Sequence, residues 1–167
     1  MSAAAATVPD RSALPAIDLR LLTTMLVAGA VATVAFDLFG QALSPLAGYA
    51  KLAPVPLAQQ TVNVLFGWNS NPMGHLLHYI AGLIGYPFGW LFIARPIARR
   101  VTPFLPWPAT SAIYGVGLWI FALYVMAHLI AGNPPFLNFT GITWTALWGH
   151  VLFAVVAAWV VEIRETA

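Results

Sequence analysis

The stretch Leu21 to Leu43, LLTTMLVAGAVATVAFDLFGQAL, decides the fold. Its one charged side chain is Asp37, and the rest is apolar, small or weakly polar. A helix needs about 20 predominantly apolar residues to cross the roughly 30 Å hydrocarbon layer of a bilayer, and this run is long enough. Three similar windows follow at Gly74 to Ala94, Pro108 to Ala131 and Thr143 to Val161. The whole chain is 60% hydrophobic and only 7% charged, against about 25% charged in soluble domains. The sequence therefore predicts an all-α polytopic membrane protein, a four-transmembrane-helix bundle forming one domain over 21–161, with short tails over 1–20 and 162–167.

Basic residues near helix ends stay on the cytoplasmic side of a membrane. In a four-span threading Arg11, Arg20, Arg95, Arg99, Arg100 and Arg164 all fall on one side, with Lys51 alone on the other. Both termini are expected to be cytoplasmic. The sequence pI near 9.3 then calls for no nucleic-acid partner, because Arg95, Arg99 and Arg100 serve to hold a connection against anionic lipid. The expected partners are the lipid bilayer and either other membrane subunits or a second copy, for which the small pair Ala28 and Ala32 offers a face. The first span is too long for a signal-peptide core and is interrupted by Asp37, so it is expected to be retained, although Gly48-Tyr49-Ala50 offers small residues for cleavage. The absence of cysteine removes disulfides, thiolate metal sites and thiol nucleophiles.

The connection Ser44 to Met73 contains Pro45, Pro54, Pro56 and Pro72 and is too polar to span. Its middle, Leu57 to Trp68, is amphipathic enough for a short interfacial helix that caps the outer mouth. The second outer connection, Asn133-Pro134-Pro135-Phe136-Leu137-Asn138, is short and stiff, since paired prolines exclude α-helix. Trp68, Trp144 and Trp148 are expected at the outer membrane boundary, and Trp107 and Trp159 at the inner one.

Helical spacing assigns the polar groups to faces. On the second span His75, His78, Gly82, Gly85 and Gly89 follow a 3, 4, 3, 4 pattern and share one stripe, and Gly85 with Gly89 would admit a close backbone neighbour. The first span places Ala30, Thr33, Asp37, Gly40, Gln41 and Ser44 together. The third aligns Gly117, Phe121, Tyr124 and His128; the fourth aligns Thr143, Ala146, His150, Ala154 and Ala157. At about 1.5 Å per residue, Asp37, His75, His78, His128 and His150 all come within roughly 12 Å of the outer ends. They define one candidate site in the outer leaflet.

A lone carboxylate in hydrocarbon costs at least a few kcal/mol, so Asp37 should be paired, most simply with a histidine. Three roles fit such a layer. It can be a hydrogen-bonded network that fixes helix order. It can be a transition-metal site for Zn, Cu or Fe, with His75, His78, His128, His150 and Asp37 as ligands. It can hold a b-type haem between His78 and either His128 or His150, implying electron transfer. A transporter reading has little to rest on, because Tyr86, Ser111 and Tyr114 are the sparse polar groups of the inner halves and Pro87 the one helix breaker there. Tyr114 is expected to satisfy a carbonyl freed by Pro87. Ser44, His75 and Asp37 form no recognisable nucleophile motif, so a hydrolase is disfavoured.

The runs Ala32-Thr33-Val34-Ala35-Phe36-Asp37-Leu38-Phe39-Gly40, His78-Tyr79-Ile80-Ala81-Gly82 and His150-Val151-Leu152-Phe153-Ala154 resemble the small four-span bacterial inner-membrane proteins of the YagU type. The resemblance covers three of the four spans and implies a fold and a bacterial inner-membrane address rather than a reaction. It departs at Ala154, where such proteins tend to carry glycine. The expected role is a non-catalytic accessory or binding subunit of a membrane process, with a haem-bearing electron-transfer subunit as the alternative.

Overall fold

The computed structural model of the protein describes residues 14–166. The expected tail over 1–13, with Arg11, lies outside the described residues. Four helices are long and apolar enough to cross a membrane: α1 Leu19–Leu46, α3 Asn71–Val101, α4 Trp107–Ile130 and α5, which runs Gly141–Thr166. Between α1 and α3 lies a shorter helix, α2, Pro54–Phe66.

Local chemistry sets the boundaries. The Asp18 carboxylate accepts from the Leu21 amide at 2.7 Å and caps α1, which supplies an acceptor for one of the orphan amides of the first turn. Helices α2, α3 and α4 each carry proline in the first turn, where its missing N–H costs nothing. Gly67 ends α2 in the left-handed region at φ 73°, a conformation that a Cβ would strain.

Helix α5 is the axis. It packs along α1 on one side and α4 on the other, while α3 packs on α1 and reaches α5 through Tyr86 and Arg95. The stripe predicted for the fourth span holds in full, since Thr143, Ala146, His150, Ala154 and Ala157 are all buried. Close approach is achieved through glycine. A Cβ on Gly29 would stand 2.5 Å from the Leu83 carbonyl oxygen, and one on Gly115 would stand 2.6 Å from the Val151 Cα. Both glycines therefore let backbones touch across α1/α3 and α4/α5.

Helices α3 and α4 pack against each other mainly through 90–101 and 107–120, where Tyr114 donates to the Tyr86 carbonyl at 2.7 Å. A tyrosine thus does satisfy a backbone carbonyl beside Pro87. The carbonyl four residues before the proline, that of Leu83, instead lies against Gly29. Toward the other end α3 and α4 diverge, and α2 lies across the gap, packed on α3 and on 121–130 of α4.

Three sequence expectations fail, the two helix stripes among them through a change of helical register. Helices α1, α3 and α4 contain π-helical stretches at Phe39–Leu43, Ala81–Gly85, Trp90–Ala94 and Phe121–Ile130. Each π turn adds a residue and rotates everything beyond it by about 100° relative to a straight α-helix. On α3, Gly82 faces α1 at Thr33 and Gly89 faces α4 at Tyr114, whereas Gly85 has no neighbour beyond its own helix. The predicted common stripe is therefore split between two neighbours. On α4 the buried face is Ser111, Gly115, Leu118, Ala122 and Ala127, while Gly117 and Tyr124 point outward and Phe121 is only partly covered. Ala28 and Ala32, expected to be left over for a partner helix, are fully buried inside the bundle.

Candidate functional site

The capped end encloses a cavity of about 290 Å³ between α1, α3, α4 and α5, roofed by α2. Its walls are largely apolar and aromatic, with Phe36, Phe121 and Phe153 among them, and its polar wall groups include His78 and His150. Neither lysine nor arginine lines it.

His78 is positioned from outside the cavity. Its Nε2 lies 3.1 and 3.2 Å from the two Asp37 carboxylate oxygens, and Gln41, one turn further along α1, donates to Oδ1 at 2.8 Å. A carboxylate only accepts, so Nε2 carries the proton and donates. In the neutral imidazole Nδ1 is then an acceptor. Asp37 finds the histidine partner that its depth demanded, and the side chains remain only 25% and 12% exposed respectively.

His150, on α5, is buried, and its Nδ1 lies 2.7 Å from the Ala146 carbonyl. A carbonyl cannot donate, so the proton sits on Nδ1 and Nε2 is a lone-pair acceptor. Phe36 packs against both imidazoles, with ring centroids 6.3 Å from His78 and 5.1 Å from His150. Tyr86 closes the far wall, its ring 6.1 Å from His150 and 5.4 Å from Phe153. Thr33 shares the α1 wall, and its hydroxyl is buried with no hydrogen-bond partner among the described residues.

The structure thus brings Asp37, His78 and His150 together and leaves His75 and His128 aside. His75 is exposed and stacks on Tyr79. The His128 Nδ1 donates to the Asn133 carbonyl at 2.7 Å and ties down the end of α4. Among the described residues no group of three or more His, Asp or Glu side chains is arranged to hold a metal ion. The five residues read as candidate ligands for Zn, Cu or Fe are thus not gathered into one such group. Haem ligation by His78 and His150 meets a similar obstacle, because the His78 Nε2 is directed at Asp37 and Phe36 packs on both rings.

Two features escaped the sequence. The connection after α4 forms a left-handed turn in which Phe136, Leu137, Asn138 and Phe139 all have φ between 47° and 58°. Left-handed L-residues cost roughly 1–2 kcal/mol each, and the turn is held by Thr143, whose hydroxyl donates to the Phe136 carbonyl at 2.5 Å. Paired prolines announced stiffness there but not handedness. This turn delivers Leu137 to the cavity wall.

The second is at the opposite end. Arg95, taken from its position as a lipid-facing anchor, turns inward with only 7% of its side chain exposed and pairs with Glu162 at 2.7 Å and Glu165 at 2.5 Å. Nearby, the Arg164 guanidinium donates to Thr24 at 3.0 Å, joining α5 to α1. The i, i+3 spacing of the two glutamates on α5 is the signal that identifies them as a fork for one cation.

Together the fold and site define a class: a helical bundle with four helices long and apolar enough to cross a membrane and an apolar cavity lined by two imidazoles. No family model, curated protein or solved structure matches the chain.

Proposed function

We propose that the protein is a small multi-pass binding protein of the bacterial cytoplasmic membrane, with both termini cytoplasmic, that holds a small lipophilic molecule in the chamber beneath α2. It acts as an accessory or carrier subunit rather than a catalyst. The observation that carries this reading is the chamber itself, about 290 Å³ with apolar walls and a few convergent polar groups, the usual make-up of ligand sites of roughly 300–1,000 Å³. The resemblance to small four-span inner-membrane proteins supports the location, as do four helices of spanning length.

The test is photolabelling. A small alkyl-diazirine probe, applied to the detergent-solubilised protein and mapped by mass spectrometry, is expected to modify chamber residues such as Leu77 and Phe153. Ala58, on the underside of α2, lines the chamber, so Ala58→Trp fills it from the roof without touching a spanning helix. That variant is expected to lose the chamber labels and keep those on lipid-facing residues. Labelling confined to lipid-facing positions in both proteins removes the reading.

A further inference from the structure

The hydrogen-bonding polarity of the chamber narrows what it takes. The Ala146 carbonyl fixes the His150 proton on Nδ1, and the Asp37 carboxylate fixes the His78 proton on Nε2. The His150 imidazole, which lines the chamber, is therefore left with Nε2 as its acceptor. An acceptor on an apolar wall is stabilised by a donor. At the His150 Nε2 a ligand that brings a hydrogen-bond donor is thus favoured, while the Asn133 amide, also on the wall, already donates to Gln60 and Ala127.

Charge narrows it again. No cationic side chain lines the cavity, so a carboxylate or phosphate head would have no counter-ion. The one nearby anion, Asp37, has both oxygens facing His78 and one also engaged by Gln41, and it is not part of the wall. Phe36, Tyr86, Phe121 and Phe153 supply aromatic surface on several sides, which suits a flat ring. Phe121 lines the chamber while 44% exposed on the outside, so the gap between α3 and α4 gives an apolar tail a way out toward lipid.

We propose, building on the chamber's assignment as a binding site, that its ligand is a neutral lipophilic phenol or hydroquinone, held by a ring hydroxyl donating to the His150 Nε2, with the ring among the aromatic walls and any tail leaving between α3 and α4. The Thr33 hydroxyl, unpartnered and on the same wall, is a second polar contact available by rotation of its side chain.

The experiment compares three probes on the unaltered protein under anaerobic conditions: a methyl-substituted 1,4-hydroquinone with a short alkyl tail, its quinone, and its dimethyl ether. Displacement of the diazirine label reports affinity. The hydroquinone is expected to bind at least tenfold more tightly than the other two, which share its shape but cannot donate, and Ala58→Trp is expected to abolish its binding. His150→Phe should reduce the preference to near unity. If that variant does not fold, the three-probe comparison on the unaltered protein decides alone. Equal displacement by all three probes overturns the inference and leaves the chamber a binding site. Displacement by none, with chamber labelling intact, does the same. Absence of chamber labelling removes both. Tighter displacement by an alkylammonium of equal length also overturns it, in favour of a cationic ligand drawn to Asp37. A tailless hydroquinone binding as well as the tailed one assigns the site to a water-borne phenol; the reverse assigns it to a membrane-dissolved one.

Discussion

Arg95 of α3 and Glu165 of α5 meet as a two-pronged ion pair, Nη1 to Oε1 and Nη2 to Oε2, both at 2.5 Å, with Glu162 accepting a further bond from Nη2 at 2.7 Å. The guanidinium is almost wholly buried while Glu165 is 42% exposed. Charge-assisted bonds of this kind are worth about 1.5–3 kcal/mol where buried, and less where water screens one partner. Arg95→Met should therefore destabilise the protein by about 2–3 kcal/mol, and Glu165→Gln by about 1 kcal/mol. Arg95→Lys should recover only part of the loss, because an ammonium cannot make the planar two-bond pair with Glu165 while also reaching Glu162. Denaturant unfolding in a defined micelle measures all three, and equal stability of the Met and Lys variants would count against the fork.

Gly82 stands directly against the Thr33 side chain across the α1/α3 contact. Gly82→Ala should cost about 1–3 kcal/mol by overpacking, and Thr33→Ala in the same chain should return most of it, since the two positions share one contact. Gly85→Ala, at a member of the sequence-predicted repeat that faces no neighbouring helix, should be neutral or gain up to about 1 kcal/mol from helix propensity. Thermal unfolding of the three variants separates the observed register from the predicted one.

His75→Ala should change stability by no more than about 0.5 kcal/mol, as expected of an exposed side chain. His78→Ala, which strands the Asp37 carboxylate, should cost about 1–3 kcal/mol, and Asp37→Asn should remove most of that difference in a double-mutant cycle. A coupling energy near zero between Asp37 and His78 would refute the pairing.

Thr143 is fully buried and bonds the Phe136 carbonyl within the left-handed turn. Thr143→Val keeps the shape and removes the bond, which should cost about 1 kcal/mol and expose 134–139 to limited proteolysis. Unchanged protection of that segment would show that the hydroxyl does not hold the turn.

The four long helices were visible because a bilayer sets their length and composition together, so windows such as Leu21 to Leu43 could be read without knowing any contact. The α5 stripe was equally visible, since Gly141–Thr166 is a continuous α-helix and the period of 3.6 holds from Thr143 to Ala157. Asp37 declared its need for a partner through the cost of its charge, and His78 meets it. What sequence periodicity could not supply was the register beyond each π turn. The turns at Ala81–Gly85 and Phe121–Ile130 add residues with no compositional mark, so Gly85 and Tyr124 were assigned inward and lie outward. Arg95 was misassigned for a different reason: an arginine at a helix end has the same sequence context whether it reaches for phosphate or for Glu162 and Glu165.

The incomplete closure between α3 and α4 has a consequence for how occupancy must be counted. If the protein sits in a bilayer as proposed, a compound entering past Phe121 arrives from the hydrocarbon phase, and the quantity that fills the chamber is then its mole fraction among the lipids and not its aqueous molarity. Saturation curves taken at different protein-to-lipid ratios should then superimpose only when plotted on that scale.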